Sequence, residues 1–408
     1  MTSLLEAVRT KSTRLISIYL AVPQALAPSE LHQSLFLAAQ LGHVEVLHAL
    51  MGAGVEVGEA RDSSQNTPLH VAISHNQPAA TKLLAKVGPR NLVDLRSASG
   101  KITPCHLAAR LGYEECLRVL IEYGASINVK DGTGCTPLIL AVRGKRYGVF
   151  QLLLESGCAV DVQDASGRTA LHYASQTATG VKLLLDKGAD LNIRDEDGAT
   201  PLFAAAAEGL SNVVRTLTAT GRCDVNLAQY DTGRTPLHLL AYKGHAECIP
   251  DLIDAGADVN LYDKQQRSAL WYAVSNGRVD VVKLLLRANS QVDTFCCPDC
   301  FTDEACPVRL AFSKGLVKVL KLFILTGYDM VHLRECLSQP EAEKLFSQAD
   351  LDHWLLRARD VMSLRCTCRM WIRHHLGYHM YHDLQELPVP PSVRDFLFLK
   401  ELDDEEEE

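Results

Sequence analysis

A four-residue phrase returns along the chain at a nearly constant spacing, and this repetition constrains the fold more than any other feature. In its best copies the phrase reads Thr-Pro-Leu-His. The seven clearest copies begin at Thr67, Thr103, Thr136, Thr169, Thr200, Thr235 and Ser268, at intervals of 36, 33, 33, 31, 35 and 33 residues. Degenerate copies at residues 33–36 and 306–309 bring the total to nine. A period near 33 residues predicts a stack of similar helical units.

The segment 131–163 indicates why each unit should be a pair of helices. Thr136 can cap a helix, and Pro137 fits the first turn, where no amide hydrogen is needed. Apolar residues then recur at helical spacing in 138–142 and again in 149–154. Each helix is too short to be stable alone in water, and each pair leaves an apolar face uncovered, so neighbouring units must stack.

The phrase and its period resemble the ankyrin repeat, over about 300 of the 408 residues. The resemblance implies an all-α solenoid of about nine repeats whose first helices and turn tips bind another protein. The histidine of each phrase should bond to backbone and link neighbouring units, because equivalent positions lie too far apart to share a metal. By analogy, the residues expected to contact the partner are Arg110, Arg143, Gln176, Tyr242, Lys243, Trp271 and Asn276.

Charge and cysteine content exclude several functional classes. The chain has 41 Lys+Arg and 49 Asp+Glu, a net charge of −8, and its last six residues are all acidic, so the remainder carries about −2. This balance argues against a dedicated nucleic-acid binder or a basic membrane-surface module. The chain has thirteen cysteines, an odd number, and they are scattered through apolar runs. This pattern favours reduced cysteines in the protein core over a framework of disulfides. We expect a cytoplasmic protein, with the nucleus as a second compartment.

A cysteine-rich stretch before the last repeat raises the question of a metal site. Its cysteines are Cys296, Cys297, Cys300 and Cys306, and the Cys297–Cys300 gap has the spacing of a zinc knuckle. A second Cys-x-x-C is missing, and adjacent cysteines rarely bind one ion together, so a reduced loop without zinc is the favoured interpretation. No P-loop, dinucleotide-binding glycine turn or Gly-x-Ser-x-Gly elbow is present either. We therefore expect neither a cofactor nor catalysis.

The C-terminal part of the chain follows a different pattern. Leu364, Cys368 and Ile372 stand four residues apart and form one apolar stripe of a predicted helix. The repeats offer this stripe no partner in sequence, so it needs another surface.

The spacing Ser-Leu-x-x-x-Cys-x-x-x-Ile resembles the elongin-binding motif of the SOCS box. The resemblance implies that Leu364 and Cys368 enter a pocket of elongin C, with Ile372 on the same stripe and elongin B bound behind. Downstream, Leu387, Pro388, Val389 and Pro390 resemble the motif that selects cullin five. Together with the repeats, the motifs resemble the ankyrin repeat and SOCS box family, whose members are substrate receptors of elongin–cullin–RING ubiquitin ligases.

We therefore predict five segments. They are an N-terminal helical extension (1–31), ankyrin repeats (32–330), a helical cap or linker (331–361), a small helical SOCS box (362–400) and an acidic tail (401–408). The predicted role is non-catalytic: the repeats hold an unidentified target, and the SOCS box recruits elongins B and C, cullin five and its RING subunit. The alternative is a scaffold that binds a partner without ubiquitylation, with the SOCS-like segment covering its own repeats.

Overall fold

A computed structural model describes residues 4–21, 27–98, 100–175, 177–288, 306–326, 333 and 336–337. In these ranges the regular elements are helices, and the only β-type pairing is an isolated bridge between Tyr262 and Ser268. The prediction of an all-α fold is therefore confirmed. None of the helices in this part of the chain has both the length and the hydropathy needed to cross a bilayer.

The chain divides into two compact units, and the first is Met1–Glu196. Its described part holds six helix pairs and a short 3-10 helix, Arg90–Asp94, between α6 and α7. The helices are α1 Leu4–Arg9, α2 Thr13–Leu20, α3 Pro28–Leu41, α4 Val44–Gly52, α5 Pro68–Ser74, α6 Pro78–Val87, α7 Pro104–Leu111, α8 Glu114–Glu122, α9 Pro137–Arg143, α10 Tyr147–Glu155, α11 Ala170–Ala174 and α12 Ala178–Asp186.

The second unit is Asp197–Glu408, and its described part holds four more helix pairs. A 3-10 turn, Ala246–Cys248, leads into one of the second helices. The helices are α13 Pro201–Glu208, α14 Ser211–Thr218, α15 Pro236–Lys243, α16 Ile249–Asp254, α17 Ala269–Ser275, α18 Val279–Arg287, α19 Pro307–Ser313 and α20 Val317–Thr326.

Within each unit the helix pairs stack in the order of the chain. First helices contact first helices, as in α5 with α7 and α15 with α17, while second helices contact second helices, as in α6 with α8. The faces between them are lined by fully buried side chains such as Leu69, Leu117 and Leu285. Burying a side chain of this size contributes about 1.5–3 kcal/mol, which a lone short helix cannot obtain.

The N-terminal extension forms a helix pair of its own, in addition to the nine predicted copies of the repeat. α1 packs on α3 and α2 packs on α4, in the same way as later pairs. Leu4, Val8 and Ile16 are buried in this contact. The pair lacks the Thr-Pro phrase, so the periodicity of that phrase could not reveal it.

Most of the predicted cap, SOCS box and acidic tail lies outside the described residues. Leu333, Cys336 and Leu337 are described, and all three are buried. The boundaries at 331–361, 362–400 and 401–408 therefore remain predictions, as do the elongin-binding and cullin-binding assignments within them.

Candidate target-binding surface

The repeated Thr and His side chains form the frame that holds the first helices in place. In the repeat that begins at Thr103, the His106 Nδ1 accepts the Thr103 amide at 3.2 Å, and the imidazole Nε2 donates to the Cys135 carbonyl of the next repeat at 3.0 Å. His70 bonds in the same way to Ile102 O, and His238 to Arg267 O. The prediction that these histidines link neighbouring repeats is confirmed for these three.

Burial keeps these imidazoles neutral. It lowers the pKa of His70, His106 and His238 below the ordinary histidine value, although the backbone carbonyls that accept from Nε2 oppose the shift. A neutral ring with its proton on Nε2 is the form that both bonds require, because Nδ1 must accept. The frame therefore carries no charge of its own toward a partner.

An aspartate in the turn before a first helix shapes each of several turn tips. One oxygen of Asp263, Oδ1, accepts the amides of Gln265 and Arg267 at 2.8 and 2.9 Å. The Oδ1 of Asp164 does the same for Ser166 and Arg168. The second oxygen of each carboxylate remains available for a side chain on the surface.

In the first unit, that second oxygen accepts from a tyrosine. The Tyr173 hydroxyl donates to Asp164 Oδ2 at 2.6 Å, and the guanidinium of Arg143 lies 5.3 Å from the centre of the Tyr173 ring. Burial, with the adjoining carboxylate, raises the pKa of Tyr173 to about 12. Arg143, a predicted contact residue, is exposed, and it is held in place by this stacking rather than extended freely into solvent.

The second unit repeats this arrangement with more aromatic side chains. The Tyr272 hydroxyl donates to Asp263 Oδ2 at 2.5 Å and accepts from Arg234 Nε at 2.9 Å. Tyr242 packs edge-on against the Tyr272 ring at 6.0 Å, and Trp271 does so at 5.1 Å. These four residues and Asp263 therefore form one connected cluster.

Two predicted contact residues, Tyr242 and Trp271, thus share the Tyr272 ring as a common base. Tyr242 is 43% exposed, whereas Trp271 is half-buried with the guanidinium of Arg267 at 4.2 Å from its ring. Tyr272 itself is a packing residue, since it is only 2% exposed. Aromatic and arginine side chains held rigid at a surface are typical anchors of protein interfaces.

The remaining predicted contact residues lie at the C-terminal ends of first helices. Arg110 is exposed in the last turn of α7, and Lys243 is the exposed last residue of α15. Asn276 follows α17 and donates its amide to Tyr272 O at 3.0 Å. Gln176 lies outside the described residues. Whether any of these side chains contacts a target stays a prediction.

Sequence reasoning missed the residues that organise both clusters. Tyr173, Asp164, Arg234 and Asp263 were not among the predicted contact residues. Their signal is an aspartate followed nine residues later by tyrosine, which occurs at 164 and 173 and again at 263 and 272. The spacing places the hydroxyl over its own turn, and it could have been recognised by aligning the repeats.

Several of the described cysteines have thiols whose pKa is raised by burial. Burial raises the pKa of Cys158 and Cys248 to about 11 and that of Cys223 to about 12, so these thiols are neutral at pH 7. Cys306 is buried at the start of α19. No cluster of three or more metal-binding side chains occurs in the part of the chain that the structure describes, and Cys296, Cys297 and Cys300 lie outside it.

Comparison with protein families finds two matches. The model for Ankyrin repeats (3 copies) matches six overlapping segments that together run from residue 5 to residue 296. These segments are 5–97, 35–131, 90–164, 106–195, 138–229 and 202–296. The model for the SOCS box matches residues 360–397.

Individual proteins give a consistent result. The chain is 27% identical over 163 residues to Ankyrin repeat and SOCS box protein 11 of Mus musculus, covering 40% of this chain and 48% of the relative. It is 44% identical over 68 residues to Ankyrin repeat and SOCS box protein 14 of the same species, covering 14% and 12%. The matches thus span about half of these relatives or less. The ankyrin repeat domain of Bcl-3 aligns with a TM-score of 0.46 and 31% identity, over 50% of this chain and 91% of that one.

Proposed function

Since this chain belongs to the ankyrin repeat and SOCS box family, we propose that it is the substrate-recognition subunit of an elongin B/C–cullin five–RING ubiquitin ligase. The observation that carries the proposal is the presence of both modules in one chain, repeats over residues 5–296 and a SOCS box over 360–397. A repeat array alone would indicate only binding. The SOCS box adds a second binding surface, through which the chain would recruit a ligase.

The mechanism we propose is proximity. The repeats hold a target protein, and the SOCS box ties the same chain to the RING subunit, which carries the conjugating enzyme. Tethering raises the effective concentration of target lysines at the ubiquitin thioester without any chemistry in this chain.

Specific residues can be assigned to each binding partner of the proposed receptor. Leu364, Cys368 and Ile372 would dock on elongin C, whose partner elongin B follows. Leu387, Pro388, Val389 and Pro390 would favour cullin five, because two prolines fix an extended segment. The target would be held by the exposed ends of first helices and by the arginine–tyrosine clusters around Tyr173 and Tyr272.

The experiment that tests this proposal is a co-purification from cells. Leu364→Ala combined with Cys368→Ala should abolish recovery of elongins B and C, because it removes the apolar side chains that fill the pocket. Arg365→Ala combined with Arg369→Ala changes the same segment outside the stripe and should retain both elongins. Equal recovery of elongins with the two double variants would overturn the proposal.

A further inference from the structure

An open groove runs between the repeats that begin at Thr67 and Thr103. Its cavity volume is about 310 Å³ beside the stacked helices α5 and α7, at the lower end of the range of about 300–1,000 Å³ that ligand sites occupy. Its lining residues are Ser64, Asn66, His70, Val71, Ser74, Ser97, Ile102, Leu107 and Arg110. Of these, only Arg110 belongs to the contact residues predicted from the sequence.

The repeats that line the groove have aliphatic residues at a position where two other repeats carry a tyrosine. Tyr173 and Tyr272 stand four residues after their capping residues, and their rings lie against Arg143 and Tyr242 of the preceding repeat. The same position carries Val71 in one repeat here and Leu107 in the next. The aspartate nine residues before the tyrosine is also replaced, by Ala98 for Leu107.

The lining of the groove combines apolar and polar groups. Val71, Ile102 and Leu107 supply apolar surface. Ser64 and Asn66, in the turn that precedes α5, supply a hydroxyl and an amide. The groove therefore offers a ring both an apolar slot and polar groups for a hydroxyl, as a tyrosine side chain requires when it is buried.

The charge among the residues that line the groove is positive. Arg110, in the last turn of α7, is the one lining residue that is charged at neutral pH, since burial lowers the pKa of His70 and keeps that ring neutral. The nearby carboxylate of Asp62 is occupied by the amides of Ser64 and Asn66 and by the Asn66 side chain. An acidic group beside the inserted ring would meet an exposed guanidinium and no competing carboxylate among the lining residues.

We propose that this groove binds a tyrosine of the target protein, with an acidic residue next to that tyrosine paired to Arg110. The inference rests on the proposed function, because it names the chemistry of the target that the repeats would hold. The inserted ring would take the place that Tyr173 and Tyr272 fill inside their own repeats.

The test uses a defined probe, a nine-residue peptide with acetyl and amide ends and the sequence Gly-Ser-Glu-Glu-Tyr-Glu-Glu-Ser-Gly. The full-length chain, with elongins B and C present, carries labelled Ile, Leu and Val methyl groups for NMR. Binding should shift the methyl signals of Val71, Ile102 and Leu107. Peptides with Ala in place of Tyr, or with Lys in place of every Glu, should weaken binding at least about tenfold.

Three variants connect the binding to the groove. Arg110→Glu should weaken the acidic tyrosine peptide about tenfold or more. Leu107→Tyr should abolish binding, because it supplies from within the chain the ring that two other repeats already carry at this position. Lys82→Glu is the matched control, since it makes the same charge change on the exposed face of α6, and it should bind as the unmodified chain does.

The outcomes separate this proposal from the proposed function. Absence of shifts at Val71, Ile102 and Leu107, or equal binding of the Glu and Lys peptides, would overturn the groove proposal even if elongins B and C bind the chain. Loss of binding in Lys82→Glu as large as in Arg110→Glu would also overturn it. Peptide binding in a chain that never associates with elongins would instead support the groove and contradict the ligase role.

Discussion

The hydroxyl of Tyr272 donates a 2.5 Å hydrogen bond to the carboxylate of Asp263, the residue that holds the turn tip before the same helix. The Asp263 side chain is 1% exposed, and its buried charge is stabilised by this bond, by the amides of Gln265 and Arg267, and by Arg234 Nε at 3.9 Å. The Tyr272 ring thereby connects the turn tip to the exposed Tyr242 and the half-buried Trp271. The rigidity of this part of the surface depends on that bond.

Removal of the Tyr272 hydroxyl should loosen the turn. We expect Tyr272→Phe to cost about 1–3 kcal/mol of stability, because it leaves one oxygen of a buried carboxylate without its donor. Hydrogen–deuterium exchange should then accelerate at the amides of Gln265 and Arg267, which donate to Asp263. Tyr242→Phe removes a hydroxyl from an exposed ring and serves as the control. Unchanged exchange at both amides in Tyr272→Phe would show that the bond does not hold the turn.

The repeat phrase predicted much of this surface frame, because it records local constraints. A capping Thr, a Pro in the first turn and a His that reaches the next repeat are each fixed by spacing within a few residues, as Thr67, Pro68 and His70 show. The same reasoning placed Arg110 and Tyr242 at the exposed ends of first helices, where the structure has them.

The clusters and the groove were not predictable in the same way, because they depend on what the neighbouring repeat presents. Arg143 stacks on the ring of Tyr173, which belongs to the next repeat. Arg234 likewise reaches Tyr272 of the next repeat, but from the residue just before the capping Thr235. The groove beside Leu107 lies where no such ring is present, and no sequence motif indicates a groove of this kind. The N-terminal segment 1–31 was predicted to be helical, but its stacking as the pair α1–α2 was not, because that packing is set by buried apolar residues without the phrase.

Acid should destabilise the repeats through their buried histidines. The folded pKa of His70, His106 and His238 lies below the ordinary value near 6.5, so the unfolded chain takes up protons first as pH falls. Their stability contribution is complete above about pH 6.5 and is lost below it, by up to about 1.4 kcal/mol per pH unit for each histidine.

Urea unfolding at pH 7.5, 6.5 and 5.5 measures this dependence. The midpoint should fall with pH, and His238→Gln should reduce the slope while lowering stability at pH 7.5, because the bond to Arg267 O is altered. The exposed His75 provides a matched control as His75→Gln, which should keep the full slope. A slope that His238→Gln leaves unchanged would argue against this origin.

The cullin-binding segment should act separately from the elongin-binding stripe. We expect Leu387→Ala with Pro388→Ala to abolish capture of cullin five while elongins B and C still co-purify, because the altered residues lie outside the stripe of Leu364, Cys368 and Ile372. Quantitative mass spectrometry of the purified complexes measures both. Asp403→Asn with Glu405→Gln in the acidic tail is the control and should retain cullin five. Joint loss of elongins and cullin five in the first variant would contradict separate sites.

The apolar stripe should also limit solubility when elongins are absent. Exposed apolar patches favour aggregation, so the chain expressed alone should give less soluble protein than the chain co-expressed with elongins B and C. Leu364→Ser with Ile372→Ser should raise the yield of the chain expressed alone and remove the benefit of co-expression. Light scattering of the soluble fraction checks that the recovered protein is not aggregated. Equal yields with and without elongins for the unmodified chain would be the contrary result.

In the proposed ligase role, one chain joins a target-binding repeat array to a ligase through its SOCS box. Native mass spectrometry of the unmodified chain mixed with excess elongins B and C, followed by cullin five with its RING subunit, tests this most directly. We predict a one-to-one-to-one complex with the elongins that then gains one cullin five–RING module. A folded, soluble chain that remains free of elongins at micromolar concentrations of all partners would contradict the claim.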